Sequence, residues 1–315
     1  MLPTWPELPY AGWRDTLETL HRYTQIIGKI RLGLTPLVNH WWNVALEVTS
    51  RGLSTGAIPY GDGAFTIELD LIGHNVIFSS TWAEPRGLAL VPRTVAGFHR
   101  EVMAILAALG VEASIREQPV EILSEAIPFS EDTHHASYDA QAVTRCFATL
   151  RASTNIFELF RARFIGKSSP VQFYWGSFDL AVSRFSGRPA PPRPGADVIT
   201  REAYSHEVMS VGFWPGDERL PEPAYYAYLA PPPPGLDSAV VRPTEAYFHP
   251  ALGELILPYE AVRTSPSPHD ALLDFCESSY HEASTRAGWD PGLVREVTAP
   301  VEPHYPRRGP PRAEA

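Results

Sequence analysis

The stretch FIGKSSPVQFYWGSFDLAVSRFSGR, residues 164–188, holds the features from which the fold can be predicted. It passes from the end of a helical segment through a Gly-Lys pair and a Ser-Ser-Pro turn into an aromatic strand, predicted over 171–185. It also contains Lys167, one of only two lysines in the 315-residue chain. The other, Lys29, lies in a similar stretch, residues 26–52, and this similarity indicates a repeated unit.

Four groups of residues recur in the same order in the two halves of the chain. They are Ile27-Gly28-Lys29 with Ile165-Gly166-Lys167, Pro36 and Trp41 with Pro170 and Trp175, His74 and Trp82 with His206 and Trp214, and Leu88–Pro92 with Glu254–Pro258. Matches in one order with small changes of spacing are typical of a degraded tandem duplication. The wider spacing of the last match indicates an insertion near residues 215–250 of the second copy.

Each copy is predicted to contain a helix, antiparallel strands and a second helix. Apolar spacing predicts helices over 15–30, 95–109, 137–164 (with a break near 153–155) and 267–287, and alternation predicts strands over 40–50 and 65–71. The expected fold class is therefore α+β, with two tandem, pseudo-symmetric copies of an antiparallel sheet packed with helices. The first copy spans residues 1–136 and the second 137–289. The Pro/Arg-rich tail, 290–315, is expected to be partly disordered.

Composition limits the partners and the compartment. The formal net charge of −10 argues against a nucleic-acid partner or an anionic membrane surface, since both require a basic face. There is no apolar run of membrane-spanning length and no basic-then-apolar secretory signal. The two cysteines, Cys146 and Cys276, lie on apolar helix faces, which indicates reduced thiols and a cytoplasmic protein. The oligomeric state cannot be predicted.

The two aromatic strands suggest where a ligand would bind. Each predicted strand has one apolar face and one face that combines a tryptophan, Trp41 or Trp175, with small polar residues. A solvent-facing surface shielded by one ring explains this pattern. Alternatively, the face is a ligand wall on which the ring stacks, and Asp179 or Glu47 accepts hydrogen bonds from the ligand.

Further candidate residues follow in the second copy. His206 has the near-neutral pKa that suits a general base, although a lone histidine is more often structural. Strand alternation sends Glu207 to the opposite face, so the two are not expected to act as a direct pair. Arg184 and Arg188 could hold an anion or merely border a Pro-rich loop, and Tyr259 completes the candidate ligand-binding set. The candidate catalytic residues are His206, Asp179 and Glu207.

The Gly-Lys pairs do not indicate a phosphate-binding loop. That motif requires an earlier glycine, and the position is occupied by Arg161. Neither lysine opens a predicted helix: Lys29 lies at the end of one and Lys167 follows another, and both are expected to neutralise carbonyl groups at the helix ends. The dinucleotide-binding fingerprint is missing as well, and no cofactor is predicted.

His134, His135 and Asp139 have the residue types of a metal site at short spacing. Adjacent histidines in a loop rarely bind one ion with both rings unless other elements contribute. No metal site is therefore predicted, and whether these histidines bind a metal stays open.

Several strings resemble a bacterial family classed only as a domain of unknown function. They are NHWW (39–42), SPVQFYWGSFDLAVSRFSGR (169–188), YSHEV (204–208), GFWPG (212–216) and LPYE (257–260). The resemblance extends over residues 5–289 and implies one full-length family unit. It implies no activity, cofactor or catalytic residue.

Two function classes follow from these observations. The first is an enzyme or small-molecule binder with a polar-aromatic cleft between the two copies. Its expected lining is Trp41, Trp175, Asp179, Arg184, His206, Glu207 and Tyr259. The second is a non-catalytic protein-protein interaction module that uses Trp-rich faces and Pro-rich loops, and it predicts a flat exposed apolar patch.

Overall fold

The computed structural model of the chain describes residues 4–295. The helices are α1 (Arg14–Leu34), α2 (Val95–Ala108), α3 (Ala140–Ala162), α4 (Val198–Ala203), α5 (Tyr259–Arg263) and α6 (Pro268–Arg286). The strands are β1 (Glu47–Val48), β2 (Gly52–Ser54), β3 (Ile58–Tyr60), β4 (Gly63–Asp70), β5 (Asn75–Ser80), β6 (Arg86–Ala89), β7 (Gln172–Tyr174), β8 (Asp179–Pro189), β9 (His206–Trp214), β10 (Ala224–Ala230), β11 (Tyr247–His249) and β12 (Glu254–Pro258). No helix within 4–295 is both long and apolar enough to cross a membrane.

The strands form two antiparallel six-stranded sheets. The first has the order β1-β2-β4-β5-β6, with β3 also paired to β4, and the second has the order β7-β8-β9-β10-β12-β11. A long helix precedes each sheet in the chain and further helices follow it. The predicted α+β class with two sheet copies is confirmed.

The two sheets meet through their first strands. Leu46 and Phe173 each donate a backbone N–H to the other's carbonyl oxygen, both at 2.8 Å. Buried apolar residues from both halves form one continuous core, which includes Phe65 of the first sheet and Phe213 of the second. The halves therefore share hydrogen bonds and apolar packing.

Local sequence signals explain where two helices begin. The N–H of Gly97 donates to the hydroxyl of Thr94 at 3.0 Å, which caps α2. Ser267 caps α6 in the same way, and Pro268 occupies the first helical position, where no N–H is needed. Both predicted helix starts are confirmed.

The first lysine is not at a helix end, which corrects the prediction for it. Helix α1 continues to Leu34, four residues beyond the predicted end, and Lys29 lies inside it, well before its last turn. Its amine donates to the carbonyl oxygens of Arg116, at 3.0 Å, and Gln118, in the connector after α2. Lys167 does follow a helix, because α3 ends at Ala162. The two lysines therefore occupy different structural positions.

The two predicted aromatic strands are shorter than expected. In the first half only Glu47–Val48 is a strand, because His40 and Trp41 have left-handed φ values of 57° and 60° and interrupt the extended chain. In the second half β7 and β8 form a hairpin, and Phe178 in its turn has φ 58°. The assumption of uninterrupted alternation over 171–185 was wrong.

Helix α3 has no break near residues 153–155. The buried Ser153 hydroxyl is hydrogen-bonded at 2.8 Å to the Tyr225 hydroxyl of the second sheet, which satisfies it without disturbing the helix. Of the predicted tail, residues 296–315 lie outside the described residues. Its first part contains a short 3-10 helix, Pro291–Leu293, and Val294 bridges to Phe164.

Candidate functional site

The second sheet has one face in the core and one face towards a cleft. Alternation along β8 places Leu180, Val182 and Arg184 on the core side and Asp179 and Ser183 on the cleft side. Polar and aromatic side chains from neighbouring strands continue the cleft side. It is formed by Ser210, Trp214, Tyr226, Tyr228 and Glu254.

A hydrogen-bonded layer covers the middle of this face. The hydroxyls of Ser183 and Ser210 lie 2.6 Å apart, on neighbouring strands in register. The Tyr226 and Tyr228 rings stack at 6.0 Å, and the Tyr228 hydroxyl lies 2.8 Å from that of Tyr204, which follows α4. The rings therefore present both π-faces and hydroxyl groups to the cleft.

Asp179 lies at the centre of this layer. Its side chain is almost fully buried, and its two carboxyl oxygens accept hydrogen bonds from the hydroxyls of Ser177 and Tyr226. Gly212 makes the second bond possible, because any side chain there would overlap the Tyr226 ring. Burial raises the pKa of Asp179 above its usual value, and the two hydroxyl bonds oppose that rise.

Two further carboxyl groups face the cleft. Burial, and then the charge of Asp179, raise the pKa of Glu254 to about 7, against the opposing charge of Arg219. Burial and the same aspartate raise the pKa of Glu121, which has a left-handed φ of 56°. Glu121 is the most exposed of the three, so water screens its charge most. In residues 4–295 none of the three forms an ion pair with a basic side chain.

Two cavities open on this face, and Glu254 lines only the smaller one. The smaller, of about 400 Å³, lies between α1 and the loop after β9, and the larger, of about 870 Å³, extends towards His40, Trp42 and Phe185. Both are lined by Glu121, Ser177, Asp179, Tyr226 and Tyr228. Their walls come from both sides of residue 136, and their sizes suit a small-molecule site.

Asp179 and Trp175 are the predicted site residues that the structure brings together, since both line the larger cavity. Trp175 is itself buried, and its indole N–H donates to the Val44 carbonyl at 2.7 Å. Trp41 lies in a 3-10 helix, partly buried, and lines neither cavity.

Arg184 and Tyr259 lie on the other side of the second sheet. Arg184 is five positions from Asp179 on β8, and an odd separation reverses the face. It is completely buried beneath α3 and α6. The hydroxyl of Tyr259 is bonded to Thr149 and to the carbonyl of Pro6, so this side chain fills the core.

His206 and Glu207 begin β9 and do not line the cavities. Glu207 forms an ion pair with Arg188 at 2.6 Å, and that arginine also donates to the carbonyls of Ala287 and Gly288. Arg188 thus has partners within the protein. The structure does not place Asp179, Arg184 and His206 in one shared pocket.

The paired histidines lie near a buried ion pair. His135 Nδ1 is 2.8 Å from Asp132, which also lies 3.3 Å from Arg22. The His135 Nε2 atom is 3.4 Å from Glu18. Within residues 4–295 no group of three or more His, Cys, Asp or Glu has a metal-binding arrangement.

Sequence reasoning missed Tyr226, Tyr228 and Glu254 as site residues. The run Ala-Tyr-Tyr-Ala-Tyr predicts a strand, but nothing in it indicates which tyrosines face the cleft. For Glu254 the sequence predicts only a place in the segment that matches Leu88–Pro92 of the first copy. Their role depends on the neighbours of β10, which the sequence does not specify.

Comparison with known proteins gives a family but no activity. The profile described as a family of unknown function, DUF5996, matches residues 5–296. Neither the curated proteins nor the solved structures yield a significant match.

Proposed function

We propose that this chain, which belongs to the family of unknown function DUF5996, binds a small polar molecule in the cleft over its second sheet. The supporting observation is Asp179, a buried carboxyl group that two cavities share and that hydroxyl donors hold in place. Placing a carboxyl group in a buried wall opposes stability, and such groups are characteristic of binding and catalytic sites.

The chemistry of the wall indicates the kind of ligand. Three carboxyl groups that form no ion pair in the described part of the chain favour a ligand that donates hydrogen bonds, through hydroxyl or amine groups. The faces of Tyr226 and Tyr228 add a surface for stacking. A carboxyl group with a raised pKa can also exchange a proton with its ligand, so Asp179 is the proposed acid-base group if the protein is an enzyme.

The interaction-module hypothesis receives less support. That function calls for a flat apolar surface, whereas the cleft is concave and polar at its centre. The cytoplasmic location stays part of the proposal, supported by Cys146 and Cys276, which are free and buried. Bacterial origin, tandem duplication and the expectation of no nucleic-acid partner remain predictions from the sequence.

The test compares ligand binding by matched aspartate variants. A panel of small amines, polyols and carboxylates is screened against the wild-type protein by saturation-transfer NMR. Asp179→Asn should weaken binding of the donor-bearing compounds by at least about tenfold, since a hydrogen bond to a charged group contributes ~1.5–3 kcal/mol. The control is Asp274→Asn, an exposed position on α6.

Circular dichroism and thermal melting first establish that both variants are folded. The proposal is wrong if no compound of the panel binds. It is equally wrong if the compounds that bind do so with the same affinity to the wild type and to Asp179→Asn.

A further inference from the structure

The second lysine has an unusual environment at the far end of the larger cavity. Lys167 lies between α3 and β7, and its Nζ atom is 2.6 Å from Nε2 of His40. Trp42 and Phe185 flank the amine, with ring centroids 5.6 and 5.3 Å from Nζ. His40 and both of these rings line the cavity, and Lys167, which is partly exposed, lies next to them.

The backbone around His40 determines which of its ring nitrogens carries the proton. Nδ1 faces the carbonyl oxygens of Glu202 and Ala203 at 3.1 and 3.2 Å, and carbonyl oxygens only accept hydrogen bonds. Nδ1 is therefore the N–H donor. Nε2 of the neutral ring then carries a lone pair, and Lys167 donates to it. Burial and the charge of Lys167 lower the pKa of His40, which agrees with a neutral ring.

Lys167 also lacks the counterion that would hold it as an ammonium ion. Within residues 4–295 no carboxylate lies within ion-pair distance of Nζ, and the groups facing this pair are Glu202 of α4 and His206 of β9. Burial lowers the pKa of Lys167, while Glu202 opposes that shift. The ring faces attract the ammonium form and offset part of the loss of water.

Lys29 provides an internal contrast. It is 6% exposed, and its amine is held by the carbonyls of Arg116 and Gln118. Lys29 also lines the larger cavity, and burial lowers its pKa to about 8. Both acceptors of its amine are backbone carbonyl oxygens, however, and these do not take up a proton as a neutral imidazole does. Lys167 is more exposed and has an imidazole that can accept a proton.

We propose that Lys167 is a nucleophilic amine, with His40 as its proton acceptor, that forms an imine with an aldehyde or ketone bound at this end of the cavity. The nitrogen lone pair attacks the carbonyl carbon, and the carbonyl π electrons move to its oxygen. A proton passes from nitrogen through His40 Nε2 to the alkoxide oxygen, which gives a carbinolamine. A second proton from nitrogen takes the same route to the hydroxyl group. Water leaves as the C=N bond forms, and no oxidant or reductant takes part.

The experiment traps the imine on the full-length protein with benzaldehyde and cyanoborohydride. Mass spectrometry of peptides then gives separate rates for Lys167, Lys29 and the α-amino group. At neutral pH Lys167 should react at least about tenfold faster than Nα-acetyl-lysine amide, because His40 takes up the proton during the attack and burial lowers the pKa of the amine. Lys29, whose amine is held by two carbonyl oxygens and has no neighbouring proton acceptor in the described part of the chain, should react more slowly than Lys167.

A histidine variant tests the proton acceptor. His40→Asn should slow labelling of Lys167 by at least about tenfold, a conservative bound below the ~10²–10⁴-fold that positioned general bases contribute, while the rate at the α-amino group is unchanged. Lys167 reacting no faster than Nα-acetyl-lysine amide would overturn the proposal, and that comparison needs no variant. Equal rates for Lys167 in the wild type and in folded His40→Asn would overturn the role of His40.

Discussion

At the scale of single residues, Glu254 should make the stability of the protein depend on pH. Its folded pKa of about 7 exceeds the usual 4.5, so the folded state binds this proton more tightly than the unfolded state. Stability should therefore fall as pH rises through this interval, by at most about 3.5 kcal/mol at ~1.4 kcal/mol per pKa unit.

Glutamine does not titrate, so Glu254→Gln removes this pH dependence. Because the wild type loses stability as pH rises from about 5 to 8, the stability of Glu254→Gln relative to the wild type should increase over that range. Urea unfolding across this range measures the difference. Glu260→Gln is the control, because Arg263 lowers the pKa of Glu260 and its effect belongs to more acidic solutions. A constant difference between Glu254→Gln and the wild type would contradict the raised pKa.

Arg184 is a second residue whose role can be tested singly. It is completely buried, its guanidinium lies 3.3 Å from the Phe160 ring centre, and it donates to the Phe160 carbonyl. Its Nη1 atom is 3.6 Å from the Glu277 carboxylate. Burial lowers its pKa to about 10, which leaves it charged at neutral pH.

Arg184→Ala should lower the free energy of unfolding by about 3–5 kcal/mol, since it removes both the ion pair and the packing against the ring. Arg184→Met retains an unbranched apolar side chain, so its free energy of unfolding should fall clearly less than that of Arg184→Ala. Chemical denaturation of the two variants measures the difference. Equal losses would show that packing of the stem contributes nothing.

At the scale of elements, the position of α1 depends on one glycine. A Cβ atom at Gly28 would overlap the ring of Trp175, whose indole N–H is already bonded to Val44. Gly33 on the same helix has its nearest neighbouring atom, the Ser114 carbonyl oxygen, 3.6 Å from such a Cβ. A substitution by alanine would therefore cause a steric overlap at Gly28 but not at Gly33.

Gly28→Ala should destabilise the protein by about 1–3 kcal/mol through overpacking. Gly33→Ala should be neutral or stabilising by up to about 1 kcal/mol, because alanine has a higher helix propensity than glycine. Thermal melts of the two variants provide the measurement. A gain in stability for Gly28→Ala would mean that α1 does not pack against Trp175 in this way.

The elements also show what sequence reasoning could and could not predict. Thr94 and Ser267 specify their helix starts through bonds to nearby N–H groups, so those starts are readable locally. The hairpin at Phe178 was not readable, because a phenylalanine with positive φ gives no local signal. Asp179 was identified as a candidate. Its partner Tyr226 comes from a strand 47 positions away, and only the sheet order brings the two together.

At the scale of the whole molecule, the two halves should unfold together. The predicted boundary at residue 136 falls between sheets that share a hydrogen-bonded pair at Leu46 and Phe173. Helix α1 of the first half contacts the second half, since His21 Nε2 lies 2.9 Å from the Gly176 carbonyl. Exposing either sheet would also expose apolar surface of the other, because the core is continuous.

We therefore expect one calorimetric transition, with a van't Hoff enthalpy equal to the calorimetric enthalpy, although chains beyond about 150 residues often unfold in steps. Phe65→Ala in the first sheet and Phe213→Ala in the second should each lower the free energy of unfolding by about 3–5 kcal/mol. Each variant should therefore move that single transition to lower temperature. Two transitions, each shifted by only one of these variants, would instead establish two independent domains. One shared transition would mean that ligand binding in the cleft, whose walls come from both halves, stabilises the entire protein.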